Sequence, residues 1–557
     1  MRLSLVNDEK LMINPASEQE NKTRAKRQKA AISELRDDKY FDRNFRQIGG
    51  LTALSRVLGF MRDICLAQFI GAGMAADAFL VAFKLPNLFR RLTADGALTN
   101  AFLPVFAHVR QEEGRGNALL LATEIQTILL LVLSVIVILA ELFMPTVIWL
   151  LAPGFTQTPE RFDAAVSLAR VTVPYLPMIS LVALWAAVTN AHNRFFGGAA
   201  APVILNICLI GGALLIPTLQ LATEQTDRLV MLAMPLAVSV LVAGICQMVL
   251  MQRMLARIDA AIIWRRPQIS ASGRRMWRAF LPAALGAGGL QLNLLIDMIL
   301  ASLVSVGAIS WLYYADRIVQ LPLGVIGIAL GTALLPQLSK LESMNKKDDV
   351  AHHLAHSLYI GGFFALPAAV SVILICEPII GGLFGYGAFG DQDVAMAAAA
   401  LAAYGLGLPA FVINKVFQPA FFASDRGKLV LKISLISVAI NLIGSLAMMP
   451  VLGHVGLALA TGLASWFGVI IMAVILIKEG RLQFTALTAL WPVLVASFVM
   501  GIALYGGYFV IEPWMMAINY GAMLQITLLV AIGLISYFFT AYLLGAIPPF
   551  LFRRRKS

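Results

Sequence analysis

Long apolar segments recur in this chain from about residue 50 almost to its C-terminus. A helix rises about 1.5 Å per residue, so a segment of about 20 residues crosses a hydrocarbon core about 30 Å thick. Hydrophobic residues make up 59% of the 557 residues and charged residues 13%, and the mean hydropathy is +0.81. These values lie outside the range of soluble domains. Because no segment alternates like a barrel strand, the sequence predicts an all-α polytopic membrane protein.

The loops between the apolar segments predict how many times the chain crosses the membrane. If the hydrophilic residues 1–48 lie in the cytoplasm, every loop on that side contains Lys or Arg. The loops on the other side lack both, except "APGFTQTPERFD" and "TLQLATEQTDR", which have one Arg each. This positive-inside pattern predicts about 14 transmembrane helices with both termini in the cytoplasm. It also accounts for the net charge of +12 without nucleic-acid binding.

The longest basic loop falls after the sixth predicted helix and suggests a division of the chain. After the hydrophilic extension, we predict an N-lobe over 49–255, a basic cytoplasmic linker over 256–278 and a C-lobe over 279–480. Two further helices and a basic tail would occupy 481–557. Two six-helix lobes related as parallel repeats would enclose a central cavity.

Charged side chains within the predicted spans are the main functional signal, because each costs about 2.5–3.5 kcal/mol at the bilayer centre. The first two spans carry Arg56, Arg62, Asp63, Asp77, Lys84, Arg90 and Arg91. The eighth span carries Ser310, Tyr313, Asp316, Arg317 and Gln320, and Asp297 and Lys415 lie in other spans. A water-filled cavity between the lobes explains this distribution. Ion pairing between helices and snorkelling to the headgroups are the alternatives.

The predicted cavity wall is rich in arginine from both halves of the chain. Guanidinium groups bind phosphate oxygens in pairs and stay charged, so the wall favours a phosphate or diphosphate headgroup over a cationic drug. The chain has no Walker loop and no His-Glu-x-x-His run, and its four cysteines lack metal spacing. Transport without ATP hydrolysis, cofactor or metal is therefore favoured over an enzyme, and a channel is the remaining class.

Three segments in order identify a resemblance: "SRVLGFMRD", "GAGMAADAFLVAFKLPNLFRRLTADGALTNAFLPVF" and "SWLYYADRIVQLPLGVIGIALGTALLPQLSK". They closely resemble the signature segments of the MurJ (MviN) lipid II flippases, in the multidrug/oligosaccharidyl-lipid/polysaccharide (MOP) exporter superfamily. The likeness extends from about Ile48 to the C-terminus. It implies a monomer in the bacterial cytoplasmic membrane that moves lipid II, an undecaprenyl-diphosphate-linked peptidoglycan precursor, from the inner to the outer leaflet by alternating access. Membrane lipids would be its other partners, and contact with the cell-wall synthesis machinery stays open.

The resemblance also implies roles for individual residues. By motif position, the headgroup-binding cavity arginines would be Arg56, Arg62, Arg90 and Arg317. The polar residues of the cavity would be Asp77 and Ser310. From their positions in the charged spans, and not from the resemblance, Lys84, Asp316 and Gln320 are further candidates for polar or coupling residues of the cavity. Position 320 is Gln where some members have Glu. The last two helices, roughly 487–511 and 523–548, would hold the lipid tail.

Several alternatives remain open from the sequence. Another polyprenyl-linked glycan is the closest rival substrate, and a multidrug antiporter or ion channel is the rival class. Membrane potential, H⁺ or Na⁺ could drive the cycle, with Asp77, Asp297 or Asp316 as candidate coupling carboxylates.

Overall fold

A computed structural model describes residues 47–92, 98–220, 228–260, 266, 269–515 and 521–549. These residues form helices and turns, with no strand among them. The N-terminal half contains α1 (47–70), α2 (Met74–Leu92), α3 (Leu98–Glu112), α4 (Gly114–Leu142), α5 (Met144–Leu151), α6 (Pro159–Thr172), α7 (Tyr175–Ala191), α8 (Phe196–Gln220) and α9 (Arg228–Ala256). The C-terminal half contains α10 (Ala271–Val304), α11 (Ala308–Pro322), α12 (Ile328–Ser343), α13 (Lys347–Leu374), α14 (Cys376–Phe384), α15 (Asp391–Ala423), α16 (Gly427–Leu452), α17 (His454–Lys478), α18 (Phe484–Thr488), α19 (Trp491–Met515) and α20 (Gly521–Leu543).

The helices confirm the predicted all-α polytopic membrane fold. Within the described part of the chain, 11 helices are long and apolar enough to cross a membrane. This count treats α6 with α7, α11 with α12, and α18 with α19 as continuous runs. The other three predicted spans are also helical and carry intramembrane charges: α1, the pair α2 and α3, and α10. The total of 14 spans stays a prediction, as does the division into two six-helix lobes.

Three predicted segments, the N-terminal extension, the linker and the tail, can be compared with the described helices. Of the extension 1–48, only the last two residues are described, and they begin α1. Helix α10 begins at Ala271, inside the predicted linker, because the Ser270 hydroxyl caps it by accepting the Gly273 N–H at 3.0 Å. The basic tail from residue 550 lies outside the described residues.

Small residues let the helices of the C-terminal half pack closely. Helix α15 packs extensively against α13 and α17. Where α15 and α17 cross, a Cβ added to Gly407 would lie 2.7 Å from the Cα of Gly462. Close van der Waals contact of this kind drives helix association in lipid, where the hydrophobic effect between helices is absent.

The chain leaves regular α-helical geometry just after Pro322. Residues Leu323–Gly327 form a π-helical turn between α11 and α12. Pro322 and the glycines that follow it account for this irregularity. Pro86, by contrast, lies inside an uninterrupted α2. A Cβ added to Gly324 would lie 2.9 Å from Nη1 of Arg56, so α1 approaches α11 and α12 at this turn. Such π turns are frequent at functional sites.

The turns at one end of the helix bundle pack against one another, and we call this the closed end, comprising residues 71–73, 152–158, 305–307 and 385–390. Here the backbone N–H of Ala388 donates to the carbonyl of Gln68 at 2.8 Å. Gly71 has φ +72° and leaves no room for a Cβ, which would lie 2.4 Å from the carbonyl oxygen of Ala388. The closed end therefore joins α1 to the loop between α14 and α15.

The close approach of α15 and α17 predicts a stability effect. Gly407→Ala should destabilise the protein by about 1–3 kcal/mol, because the new methyl group overlaps Gly462. The matched control is Gly506→Ala in α19, where a Cβ would meet nothing within 4 Å. The apparent Tm of purified protein in detergent measures both. An equal Tm for the two variants would contradict the packing described here.

Candidate functional site

A buried group of charged and polar side chains joins α1, α8 and α11, and we call it the cation cluster: Arg62, Asp63, Asn206, Tyr313 and Arg317. Asp63 is 1% exposed and lies at its centre. Arg62 donates to Oδ1 of Asp63 from Nε at 3.0 Å and from Nη2 at 2.7 Å. Arg317 forms an ion pair with Oδ2 of Asp63, with its Nε at 3.0 Å. One carboxylate thus meets two guanidinium groups, and the three charges leave an excess of one positive charge.

The Tyr313 hydroxyl connects the charged members of the cation cluster. It donates to Oδ1 of Asp63 at 2.7 Å and accepts from Nη2 of Arg62 at 3.0 Å and from Nη2 of Arg317 at 2.9 Å. Nη1 of Arg62 also donates to Asn206 at 3.1 Å. Arg62 is therefore 7% exposed and fully engaged. The Arg317 side chain, by contrast, is 32% exposed.

The other predicted cations lie outside this cluster. Arg56 is exposed and lies against Gly324 at the π-helical turn. Arg90 is half-buried, and its Nε donates to Asn87 at 3.0 Å. Lys84 is half-buried and interacts electrostatically with Asp297. The side chain of Arg91 lies outside the described residues.

A second buried network lies at the closed end and contains Asp77, Arg161, Gly307 and Ser310, which we call the closed-end network. Oδ2 of Asp77 accepts from Nη2 of Arg161 at 2.6 Å and from the Gly307 N–H at 2.7 Å. Oδ1 of Asp77 accepts from Ser310, from the N–H at 2.9 Å and from the hydroxyl at 2.6 Å. Asp77 and Ser310 are both fully buried in this conformation.

The closed-end network makes Asp77 the N-terminal cap of another helix. Gly307 precedes α11 with φ +89°, a left-handed conformation that suits glycine, and its N–H points at Asp77. The first N–H groups of a helix lack partners within it and carry a partial positive charge. Asp77 on α2 satisfies two of these groups on α11, so the N-terminal and C-terminal halves of the chain are joined here.

Asp297 lies in a third cluster, rich in amide groups. Asn441 donates to Asp297 and to Asn293 at 2.8 Å each, and Asn293 donates to Asp297 at 3.3 Å. Thr461 donates to Asn441 at 3.2 Å. The cluster borders a cavity of about 240 Å³ between α15, α16 and α17. Its carboxylate, amide and hydroxyl oxygens are of the type that bind hard cations, so Asp297 stays a candidate coupling carboxylate.

Comparison with known proteins decides the family. The model of the family described as "Lipid II flippase MurJ" matches residues 66–531. This chain belongs to the MurJ family. A relative from Rhizobium tropici, named "Probable lipid II flippase MurJ", is 36% identical over 520 residues, covering 92% of this chain and 96% of the relative. The "Lipid II flippase MurJ" of Burkholderia cenocepacia is 32% identical over 445 residues, covering 78% of this chain and 84% of the relative.

Solved structures show the same fold. A MurJ structure described as "Lipid II flippase MurJ, inward closed conformation" superposes with a TM-score of 0.73 at 23% identity, covering 91% of this chain and 99% of that one. An inward-facing multidrug resistance MATE transporter of the MOP superfamily superposes with a TM-score of 0.60 at 16% identity, covering 78% and 95%. The predicted MOP-type fold is thereby confirmed.

The structure brings some of the predicted MurJ site residues together and separates others. Arg62 and Arg317 meet in the cation cluster, and Asp77 and Ser310 meet at the closed end. The Gln320 amide donates to Asp316 one turn earlier on α11, beside the cation cluster in sequence but outside it. Arg56 and Arg90 belong neither to the cation cluster nor to the closed-end network. The cavity roles of all these residues stay predictions.

Three residues of the cation cluster and the closed-end network are not predicted from the sequence: Asn206, Arg161 and Gly307. Asn206 lies in an apolar helix without a distinguishing motif. Arg161 falls in "APGFTQTPERFD", which the sequence predicts to be an outside loop. The structure places Arg161 in the first turn of α6, where it is 2% exposed. The side of the membrane on which this segment lies stays a prediction. Arg161 departs from the positive-inside pattern, and this departure was the one sign in the sequence that it has a structural partner. A cation on the outer side of the membrane is not explained by the pattern itself.

The role of Tyr313 as a connector predicts the effect of removing its hydroxyl. Tyr313→Phe should destabilise the MurJ fold by about 1.5–3 kcal/mol, because two guanidinium groups and a carboxylate each lose a partner. The control is Tyr314→Phe, whose hydroxyl donates to the neutral carbonyl of Gly71 at 3.3 Å. Thermal unfolding in detergent should show a clearly lower Tm for Tyr313→Phe; equal values would argue against a connected cluster.

Proposed function

We propose that this protein moves lipid II from the inner to the outer leaflet of a bacterial cytoplasmic membrane. Membership of the MurJ family and the names of its curated relatives support the substrate. The observation that carries the proposal is the cation cluster, in which two arginines from opposite halves of the chain share one carboxylate. The two guanidinium groups suit the diphosphate of the substrate.

The accessible arginines are the proposed contacts with the headgroup. Arg317 is the part-exposed arginine of the cation cluster, Arg56 is exposed at the π-helical turn, and Arg90 is half-buried on α2. A diphosphate presents several oxygens, and each guanidinium can bind two of them. Lys84, also half-buried on α2, would add a point charge.

Arg62, unlike these three arginines, is not proposed to contact the headgroup in the described conformation. Its guanidinium is occupied by Asp63, Asn206 and Tyr313, so direct contact with the headgroup requires the cation cluster to open. In the described conformation Arg62 holds Asp63, and Asp63 in turn orients Arg317. We therefore assign Arg62 to positioning in this conformation and to substrate contact only after rearrangement.

Transport would proceed by alternating access without ATP hydrolysis. The positive-inside pattern supports placing the closed end at the outer face of the membrane, with both termini in the cytoplasm. Release of the headgroup at that face requires two sets of hydrogen bonds to break: those that Gly307 and Ser310 donate to Asp77, and the one that Ala388 donates to Gln68. Opening would then expose Asp77 and Ser310 to the cavity, the surroundings that the family resemblance implies for them.

The lipid tail would stay outside the headgroup cavity. Helices α19 and α20 pack against each other and expose large apolar side chains, among them Phe498, Trp514 and Ile535. Their bounds, Trp491–Met515 and Gly521–Leu543, replace the predicted 487–511 and 523–548. These exposed apolar side chains suit contact with a polyprenyl chain.

The closest rival substrate is another polyprenyl-diphosphate-linked glycan, which the same arginines could bind. A multidrug antiporter is the rival class. Its cationic substrates would favour exposed carboxylates, whereas Asp63 and Asp77 are both buried and already paired with arginine.

The decisive experiment measures lipid II in the outer leaflet of cells depleted of their own flippase and supplied with this protein. The wild type should restore the signal. Arg317→Ala and Arg56→Ala should reduce it at least about tenfold at equal protein abundance, because each removes a charge-assisted contact with the diphosphate. Lys432→Ala, which removes an exposed cation on α16, is the charge-matched control and should retain activity.

Two results would reject the proposal. If well-expressed wild type leaves outer-leaflet lipid II absent, lipid II is not the substrate, and assays with other polyprenyl-linked glycans decide the alternative. If Arg317→Ala and Arg56→Ala flip lipid II at the wild-type rate, the arginines do not bind the headgroup.

A further inference from the structure

Arg161 is one of the largest fully buried side chains of the described residues and the cation of the closed-end network. Its Nη2 lies 2.6 Å from Oδ2 of Asp77. On its other side the guanidinium lies over the ring of Phe155, with Cζ 3.7 Å from the ring centroid. Phe155 belongs to the turn between α5 and α6, so both contacts of Arg161 are to the N-terminal half of the chain.

The partners of Asp77 are divided between the two halves. Arg161 lies on α6, which packs extensively against α2, the helix that carries Asp77. The other three donors to Asp77 are the N–H groups of Gly307 and Ser310 and the Ser310 hydroxyl, all on the C-terminal half. If the halves separate at the closed end, Asp77 loses those three hydrogen bonds and keeps Arg161.

Closing this end takes the Asp77 carboxylate from water to a fully buried position. Three hydrogen bonds from neutral groups compensate only part of its lost hydration, since a buried charge also needs a counter-charge. In an open state, water at the separated surfaces would hydrate the carboxylate, and Arg161 would matter less. The benefit of Arg161 is therefore greater in the closed state than in the open state.

We propose that Arg161 is a positioning residue for transport: it supplies the counter-charge that allows the closed end to seal over an ionised Asp77. The inference rests on the alternating access of the proposed function and adds a residue that sets the balance between closed and open states. Removing either charge leaves the other buried without a partner when the end closes, so either single substitution favours the open state. Removing both charges together restores closure.

A cross-link across the closed end measures this balance. Gln68→Cys and Ala388→Cys place a cysteine pair where the backbone N–H of Ala388 meets the carbonyl of Gln68 at 2.8 Å. In this background Cys65, Cys208, Cys246 and Cys376, all free, are replaced by alanine. The rate of disulfide formation with a mild oxidant in isolated membranes is normalised to membrane-inserted full-length protein, and it reports the closed fraction.

The parent, the two single variants and the double variant form a double-mutant cycle, and we expect the following cross-linking rates. Arg161→Gln and Asp77→Asn should each slow cross-linking at least about tenfold, because each leaves a buried charge unpaired. The double variant should cross-link within about threefold of the parent, since the two charges are coupled and not independent. Arg170→Gln, which removes an exposed arginine from the same helix, should leave the rate unchanged.

Three results would overturn the inference. The first is an unchanged cross-linking rate in Arg161→Gln, and the second is an equal decrease in Arg170→Gln. The third is a double variant whose rate falls by the product of the two single-variant factors. If Arg161→Gln does not accumulate in membranes, the double variant and Arg161→Lys decide, because both avoid an unpaired buried charge and must cross-link within about threefold of the parent. The readout needs no lipid II. A parent that cross-links but moves no lipid II contradicts the proposed substrate and leaves this inference intact.

Discussion

A carboxylate buried in a membrane protein must be met by positive charge and by hydrogen-bond donors, because no water is present to replace them. Two carboxylates impose this condition on the described structure, Asp63 on α1 and Asp77 on α2. Both belong to the N-terminal half, and both find partners on α11 in the C-terminal half. The position of α11 relative to α1 and α2 is consequently fixed by charge compensation as well as by packing.

The two carboxylates are compensated in different ways, and the difference separates two tasks. Asp77 has one arginine, so its network is electrically neutral and fully buried, which suits a contact that seals one end of the bundle. Asp63 has two arginines, so its cluster keeps a net positive charge, and the Arg317 side chain remains 32% exposed. That arrangement suits the capture of an anion. We infer that closure and substrate binding act on the same helix through Ser310 and Arg317, two turns apart.

The irregular turn that follows α11 agrees with a role for this helix in both closure and substrate binding. The π-helical turn at Leu323–Gly327 follows Pro322, and Arg56 approaches it at Gly324. A helix that ends in such a turn can change direction at lower cost than a regular one. Movement of α11 at the closed end would therefore be transmitted to the turn that Arg56 contacts, and this links opening of the closed end to the proposed headgroup contacts.

The sequence by itself determined the class of the protein and the membrane-spanning segments, because hydropathy and the distribution of Lys and Arg are local properties that the bilayer selects directly. It also identified Arg56, Arg62, Asp77 and Arg317 as costly charges that need a reason. It did not identify their partners. Asp77 and Ser310 are 233 positions apart, and Arg161 was assigned to a loop. Only the tertiary structure decided which charges are neutralised and which remain available, because pairing depends on how the helices pack and not on the order of residues along them.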